Sequence, residues 1–224
     1  MATSFGPGEG DGDRLCILLD LPDLALMRGL AFLREDGFQV QKYAHDVFHL
    51  GFAEGVLEEL NYRRNAFYAL KSTGGSNLDP ADEATDADGT TLSLARDVCP
   101  NFDLILAITD YSLTAPLTAM AKRYGFRGAT LHGLNETILE TGLSVDYREV
   151  SVQAERFRTA LTKADAFEIN FVTRGETTTI RIECAGQEAQ KSHGLCPRGT
   201  ADVANLPAGE VYFVPTGAEG AFPF

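Results

Sequence analysis

The sequence predicts an α/β protein: a doubly wound, mostly parallel sheet, followed by the beginning of a β-rich (α+β) second domain. Three observations carry this. The runs at residues 15–19 and 102–109 are continuously apolar, as strands buried on both faces of a parallel sheet are. Stretches with helical spacing separate such runs, giving a strand, helix, strand, helix rhythm. After Asp165 the texture changes to strict alternation, the mark of an antiparallel hairpin with one wet face.

Taken in order, residues 1–13, with Gly6, Pro7, Gly8, Gly10 and Gly12, read as a disordered lead-in. Leu15-Cys16-Ile17-Leu18-Leu19 is the first strand and ends in Asp20. Pro22 and Asp23 open a helix carrying Leu26, Leu30 and Leu33 on one side, and Gly37 stops it. A short strand is expected over 38–43, then a helix over 46–64 with Phe52, Val56, Leu57 and Leu60 as its stripe. Residues 72–89 form a solvated loop. Its likeness to a calcium loop fails, because counting from Gly89 puts Ala84 and Ala95 where acids are required. A second buried strand at 102–109 is covered by a helix over 113–124. A third strand follows at 127–131, and Asn135 caps a helical turn beginning at Glu136.

Val150, Ala154, Phe157, Leu161 and Ala164 recur at four-three spacing, an amphipathic helix. Phe167, Ile169 and Phe171 then alternate with polar residues, Arg174-Gly175-Glu176 turns, and Ile180, Ile182 and Cys184 alternate again. Residues 186–204 read as loop. The expected division is a lead-in at 1–13, an α/β domain at 14–164, and at 165–224 the first strands of an incomplete catalytic-type β domain.

The 224 residues are 44% hydrophobic and 23% charged, as in an ordinary globular protein. Net charge is −13, from 19 basic and 32 acidic residues. That balance repels phosphate backbones and anionic lipid, which excludes nucleic acid and membrane surfaces as partners, and it suits cationic substrates or divalent metals. The four cysteines are too far apart for a zinc knuckle or a redox pair and read as buried free thiols. With no leader pattern and no long apolar run, a cytoplasmic protein is expected.

Few constellations offer chemistry. His45 and His49 lie four apart, a spacing zinc sites use, but without a visible third ligand they read as ordinary surface or half-buried histidines. Asp110 and His132 each follow a parallel strand, where open α/β sheets place binding residues; the other reading of Asp110 is a cap for the helix that starts near Ser112. No dinucleotide, nucleotide or serine-hydrolase motif is present. Glu210 follows the corner made by Pro207 and Gly209 and heads a short apolar strand. A carboxylate held there points in one direction, as a metal ligand does, or is simply a surface glutamate.

The run Asn205-Leu206-Pro207-Ala208-Gly209-Glu210-Val211, with Tyr212 to Pro215 and Gly217-Ala218-Glu219-Gly220 after it, resembles the signature of the aminopeptidase T and aminopeptidase S family of leucyl-aminopeptidase-type metallopeptidases. The resemblance implies a hydrolase that removes N-terminal amino acids from peptides at a two-metal site of zinc or cobalt, with Glu210 as a metal ligand. No other residue is implied as catalytic. The family's remaining ligands lie downstream of the motif, beyond Phe224, so the chain by itself is expected to be inactive. A related 2,5-dihydroxypyridine dioxygenase branch resembles the same architecture and implies one non-haem iron instead; a non-catalytic interaction module is a further expectation. A peptide or small-molecule substrate and a homodimer, formed through an open sheet edge, complete what is expected.

Overall fold

A computed structural model describes residues 2–221. Chain contacts divide it into two compact units: residues up to Tyr147 with Gly194–Ala208, and Arg148–His193 with residues from 209 onward. The division thus falls after Tyr147 and not at residue 165. The physical reason is that a stretch from well beyond 165 returns to complete the first sheet, while the 150s pair with later residues.

The first unit is built on a seven-stranded sheet. Its strands are β1 (Asp13–Leu21), β2 (Tyr62–Lys71), β3 (Ala84–Thr85), β4 (Thr91–Leu92), β5 (Leu104–Ile108), β6 (Arg127–Thr130) and β10 (Val203–Asn205), in the spatial order β10-β6-β5-β1-β2-β3-β4. The five from β10 to β2 are parallel, and β3 and β4 add antiparallel at one edge. Leu15 lies opposite Leu104 and Leu19 opposite Ile108, so the two apolar runs are central neighbours. Both faces are covered. Cys16, Leu18, Ile105 and Ala107 join Leu113, and Leu117 and Ala121 of the helix Thr114–Tyr124, in one core. Leu15, Ile17 and Leu19, on the alternate positions, are also fully buried, and β1 contacts the helical segments 24–34 and 39–50. Each fully buried leucine or isoleucine contributes roughly 1.5–3 kcal/mol.

Local expectations differ at several places: the expected loops 72–89 and 186–204 contribute short strands, β3 to the first and β10 and the later Gln190–Ser192 to the second, and the expected helix after Pro22 breaks at Arg28–Leu30. Residues 39–43 are helical, not strand, and the helix continues through wider turns until Glu54 and Gly55 leave helical geometry; a short further turn runs to Glu59. Val40, Ala44, Phe48 and Phe52 are all buried, a four-residue spacing that only a helix can aim at one sheet face. The helix then ends early, because Tyr62–Lys71 pairs along the whole of β1. The lead-in is also ordered: Ala2–Phe5 makes a helical turn with Ser4 and Phe5 buried. Arg127 donates to the Phe5 carbonyl and the Tyr62 hydroxyl to that of Gly6. Gly8 permits this wrapping, since a Cβ there would sit 2.1 Å from the Asn61 carbonyl oxygen.

The second unit contains the helix Tyr147–Lys163 from Arg148 on, the hairpin of β7 (Ala166–Thr173) and β8 (Glu176–Glu183), and β12 (Gly217–Gly220) beside β8. A two-stranded pair, β9 (Gln190–Ser192) with β11 (Glu210–Tyr212), completes it. The alternating residues predicted the hairpin, with Ile169 opposite Ile180. Glu155 on the helix pairs with Lys191 at 2.9 Å, and the Thr162 hydroxyl accepts from the Ala189 N–H at 3.1 Å. Among the described residues, no helix is long and apolar enough to cross a membrane.

Candidate functional site

In the sheet order, β1 has β2 on one side and β5 on the other, so the chain reverses its winding between β1 and β5. Open α/β sheets bind ligands outside the carboxyl ends of the strands at this switch point. Asp20 lies at the end of β1 and Asp110 just past β5. The register that sets Leu19 beside Ile108 brings them together, and the Asp110 N–H donates to Asp20 Oδ1 at 2.9 Å.

Gln41 joins both carboxylates from the helical segment beneath. Its Nε2 donates to Asp20 Oδ1 at 3.0 Å and to Asp110 Oδ2 at 3.1 Å. Asp20 is 4% exposed and Gln41 not at all, whereas Asp110 faces solvent. Burial pushes the Asp20 carboxyl above its ordinary value; the Asp110 N–H pulls it back, the Asp110 charge raises it further, and hydrogen bonds from Gln41 and Ser72 pull the other way. Among the described residues, no lysine or arginine forms an ion pair with either acid. The Gln41 Oε1 is buried and accepts from none of them.

Polar groups continue along the same sheet edge. Asn77 N–H donates to the Ser112 carbonyl at 2.7 Å, and the Ala115 N–H to Asn77 Oδ1 at 3.1 Å, which folds the 72–89 loop over the end of β5. The Thr114 and Thr130 hydroxyls lie 2.6 Å apart, and Thr130 reaches Asn205 at the end of β10. The sheet's carboxyl edge is therefore lined with short hydroxyl and amide groups around one acidic pair. Elsewhere in this unit a cavity of about 190 Å³, lined by Phe5, Phe48, Phe52, Leu106, Leu139 and Tyr147, offers little but apolar surface.

Of the residues expected from sequence, Asp110 is in this cluster. His132 follows β6, and its Nδ1 is buried with no partner among the described residues. The His45 and His49 rings lie 6.1 Å apart, and no third His, Cys, Asp or Glu among the described residues joins them in a metal-holding group. The His45 Nδ1 contacts Asp46 Oδ1 at 2.6 Å, and the His49 ring stacks on Phe67 at 4.6 Å. Burial lowers the pKa of His49, so it favours the neutral form. Glu210 heads β11 opposite Ser192, after a cis Leu206–Pro207 peptide, and its side chain is exposed. All four cysteines are free and buried, and burial pushes the Cys99 thiol up to about 12, so it is unreactive. Among the described residues, no group of three or more His, Cys, Asp or Glu side chains could hold a metal.

Two members of the cluster lie outside the sequence expectation. Asp20 had a signal, an acid ending a buried apolar run. Gln41 had none, since its segment reads as a strand.

No family model matches the chain, and no curated protein matches it. In structure it is similar to 2,5-dihydroxypyridine dioxygenase from Pseudomonas putida, with a TM-score of 0.50 and 14% sequence identity over 93% of this chain and 52% of that one. The chain spans about half the length of that protein, and a likeness at this identity concerns the fold.

Proposed function

We propose that the chain belongs to a small-molecule enzyme of the 2,5-dihydroxypyridine dioxygenase type, in which its α/β unit holds a hydroxylated ring at the carboxyl edge of the sheet. The observation that supports this is the structural likeness along 93% of the chain. The edge suits such a ligand: Asp110 is an exposed acceptor for a ring hydroxyl, with the Thr114, Thr130 and Asn205 groups nearby along the strand ends.

The iron that this reading implies has no fitting site among the described residues, where Glu210 stands alone and no group of three His, Cys, Asp or Glu side chains could hold a metal. No step is therefore assigned to a metal here. The competing reading, removal of N-terminal residues with Glu210 on zinc or cobalt, rests on the resemblance of residues 205–220.

Titrating the purified chain with 2,5-dihydroxypyridine, followed by the ligand's absorbance and by calorimetry, separates the two. Saturable binding that weakens in Asp110→Asn is the expected result. Cleavage of a leucyl anilide that disappears in Glu210→Gln would establish the peptidase reading and displace this one, as would an absence of saturable ring binding.

A further inference from the structure

We propose that the apolar cavity of the first unit binds a neutral aromatic molecule, one six-membered ring with a small alkyl substituent. The inference does not rest on the reading of the acidic edge, since the cavity and the Asp20–Asp110 cluster share no residue.

The space measures about 190 Å³, and every residue that lines it belongs to the first unit. Four aromatic side chains, Phe5, Phe48, Phe52 and Tyr147, and five leucines form most of its wall. Among the described residues no charged side chain lines it, and its polar neighbours are engaged elsewhere. The Tyr147 hydroxyl donates to the Gly142 carbonyl at 2.8 Å, the Ser4 carbonyl accepts from the Cys196 N–H at 2.8 Å, and that of Phe5 accepts from Arg127. The Leu131 and Leu206 N–H groups are spent on the Ala107 and Thr130 carbonyls at 2.8 and 2.9 Å. A buried water needs two to four polar partners, and at most the Ser4 hydroxyl remains to offer one. Water is therefore a poor occupant.

Size and wall chemistry select a better one. An apolar cavity of about 150 Å³ walled by leucine, isoleucine and phenylalanine stays dry and takes up benzene. At about 190 Å³ there is room for one ring and a small substituent. Aromatic walls favour an aromatic guest, because edge-to-face contacts add to the burial of area. Phe48 and Phe52 already meet edge-on at 5.3 Å. A charged or hydroxylated guest would give up its hydration and receive nothing for it. The way in is on the side of Val47, which is 39% exposed, and of the half-buried Leu139 and Leu143. The backbone on that side winds wider than an α-helix: the Gly51 N–H reaches back five residues to Asp46 and the Leu143 N–H five to Ile138. Turns of that width recur at functional sites.

The test uses the full chain with toluene as the probe, read by calorimetry and thermal unfolding. One saturable site that raises the melting temperature is expected. Phenol, with a hydroxyl that the walls cannot answer, should displace toluene at least about 10-fold less effectively. Leu139→Trp fills the space from its wall and Val47→Asp sets a charge at its mouth; each should weaken toluene binding by about 10-fold or more. Circular dichroism checks each fold; if Leu139→Trp does not fold, Val47→Asp still decides, because Val47 is exposed. Val172→Asp, at an exposed valine of the β7–β8 hairpin, should bind toluene as the parent does.

Three results would overturn the proposal. One is no saturable uptake of toluene. Another is displacement of toluene by phenol or n-hexane as effectively as by benzene, which would deny the walls their choice of an unhydroxylated ring. The last is undiminished affinity in Val47→Asp, which would put the toluene elsewhere. Asp110→Asn should leave toluene binding unchanged, so failure here and failure of the dihydroxypyridine reading are told apart.

Discussion

Replacing Asp13 by asparagine should be among the most damaging single changes in the first unit. Asp13 opens β1 and Arg127 opens β6, at the amino edge of the sheet, opposite the proposed site. Their side chains are 1% and 3% exposed, and Arg127 Nη2 donates to Asp13 Oδ2 at 2.8 Å. Arg198 also pairs with Asp13. Asparagine keeps the shape and removes the charge, so Arg127 is left buried without its counter-ion. Breaking a buried pair in this way costs about 3–5 kcal/mol. At roughly 2–4 °C per kcal/mol for a chain of this size, the melting temperature should fall by on the order of 10 °C. Asp103→Asn is the control: its pair with Arg14, at 2.9 Å, is about 30% exposed on both sides and should be worth about 1 kcal/mol. With no tryptophan in the chain, circular dichroism follows both transitions. If Asp13→Asn costs no more than Asp103→Asn, burial does not control this pair and the reasoning fails.

Two other outcomes are expected. Gly128→Ala should destabilise the sheet by at least about 1–3 kcal/mol, because a Cβ there would lie 2.4 Å from the Ile105 carbonyl oxygen; Gly217→Ala, with only ordinary contacts, is the comparison, and equal unfolding midpoints would contradict the packing. Stability should decline as pH rises from the ordinary aspartate value through the raised value of Asp20. The folded state holds that proton more tightly than the unfolded chain, so its contribution is complete below the ordinary value and is lost above the raised one. The groups facing Asp20 are the Asp110 carboxylate, the neutral Gln41 amide and Ser72. Asp20→Asn should flatten that decline in urea titrations across pH, and an unchanged profile would remove Asp20 as its source.

The Asp20–Gln41 contact shows why half of the site is hidden in the sequence. Asp110 can be placed by its position after a buried run, since the carboxyl end of a parallel strand is a local inference. Gln41 enters only because 39–53 winds as a helix, and that choice is made by the sheet face receiving Val40, Ala44, Phe48 and Phe52. A window of six residues around Phe38 carries enough β-forming character to suggest a strand instead. The helix over 46–64 fails for a related reason: Tyr62–Lys71 pays its desolvation by pairing with all of β1, a partner more than forty residues away.

From sequence alone came the α/β class, the two central strands, the helix covering one of their faces, the β7–β8 hairpin and the acidic character of the chain. These depend on periodicity and on charge, which any short window displays. Tertiary structure decided the sheet order, the return of 194–208 to the first unit, the exposure of Glu210 and the meeting of Asp20, Gln41 and Asp110. Those follow from register and burial between residues tens of positions apart, where the energy lies in contacts that only the folded chain makes.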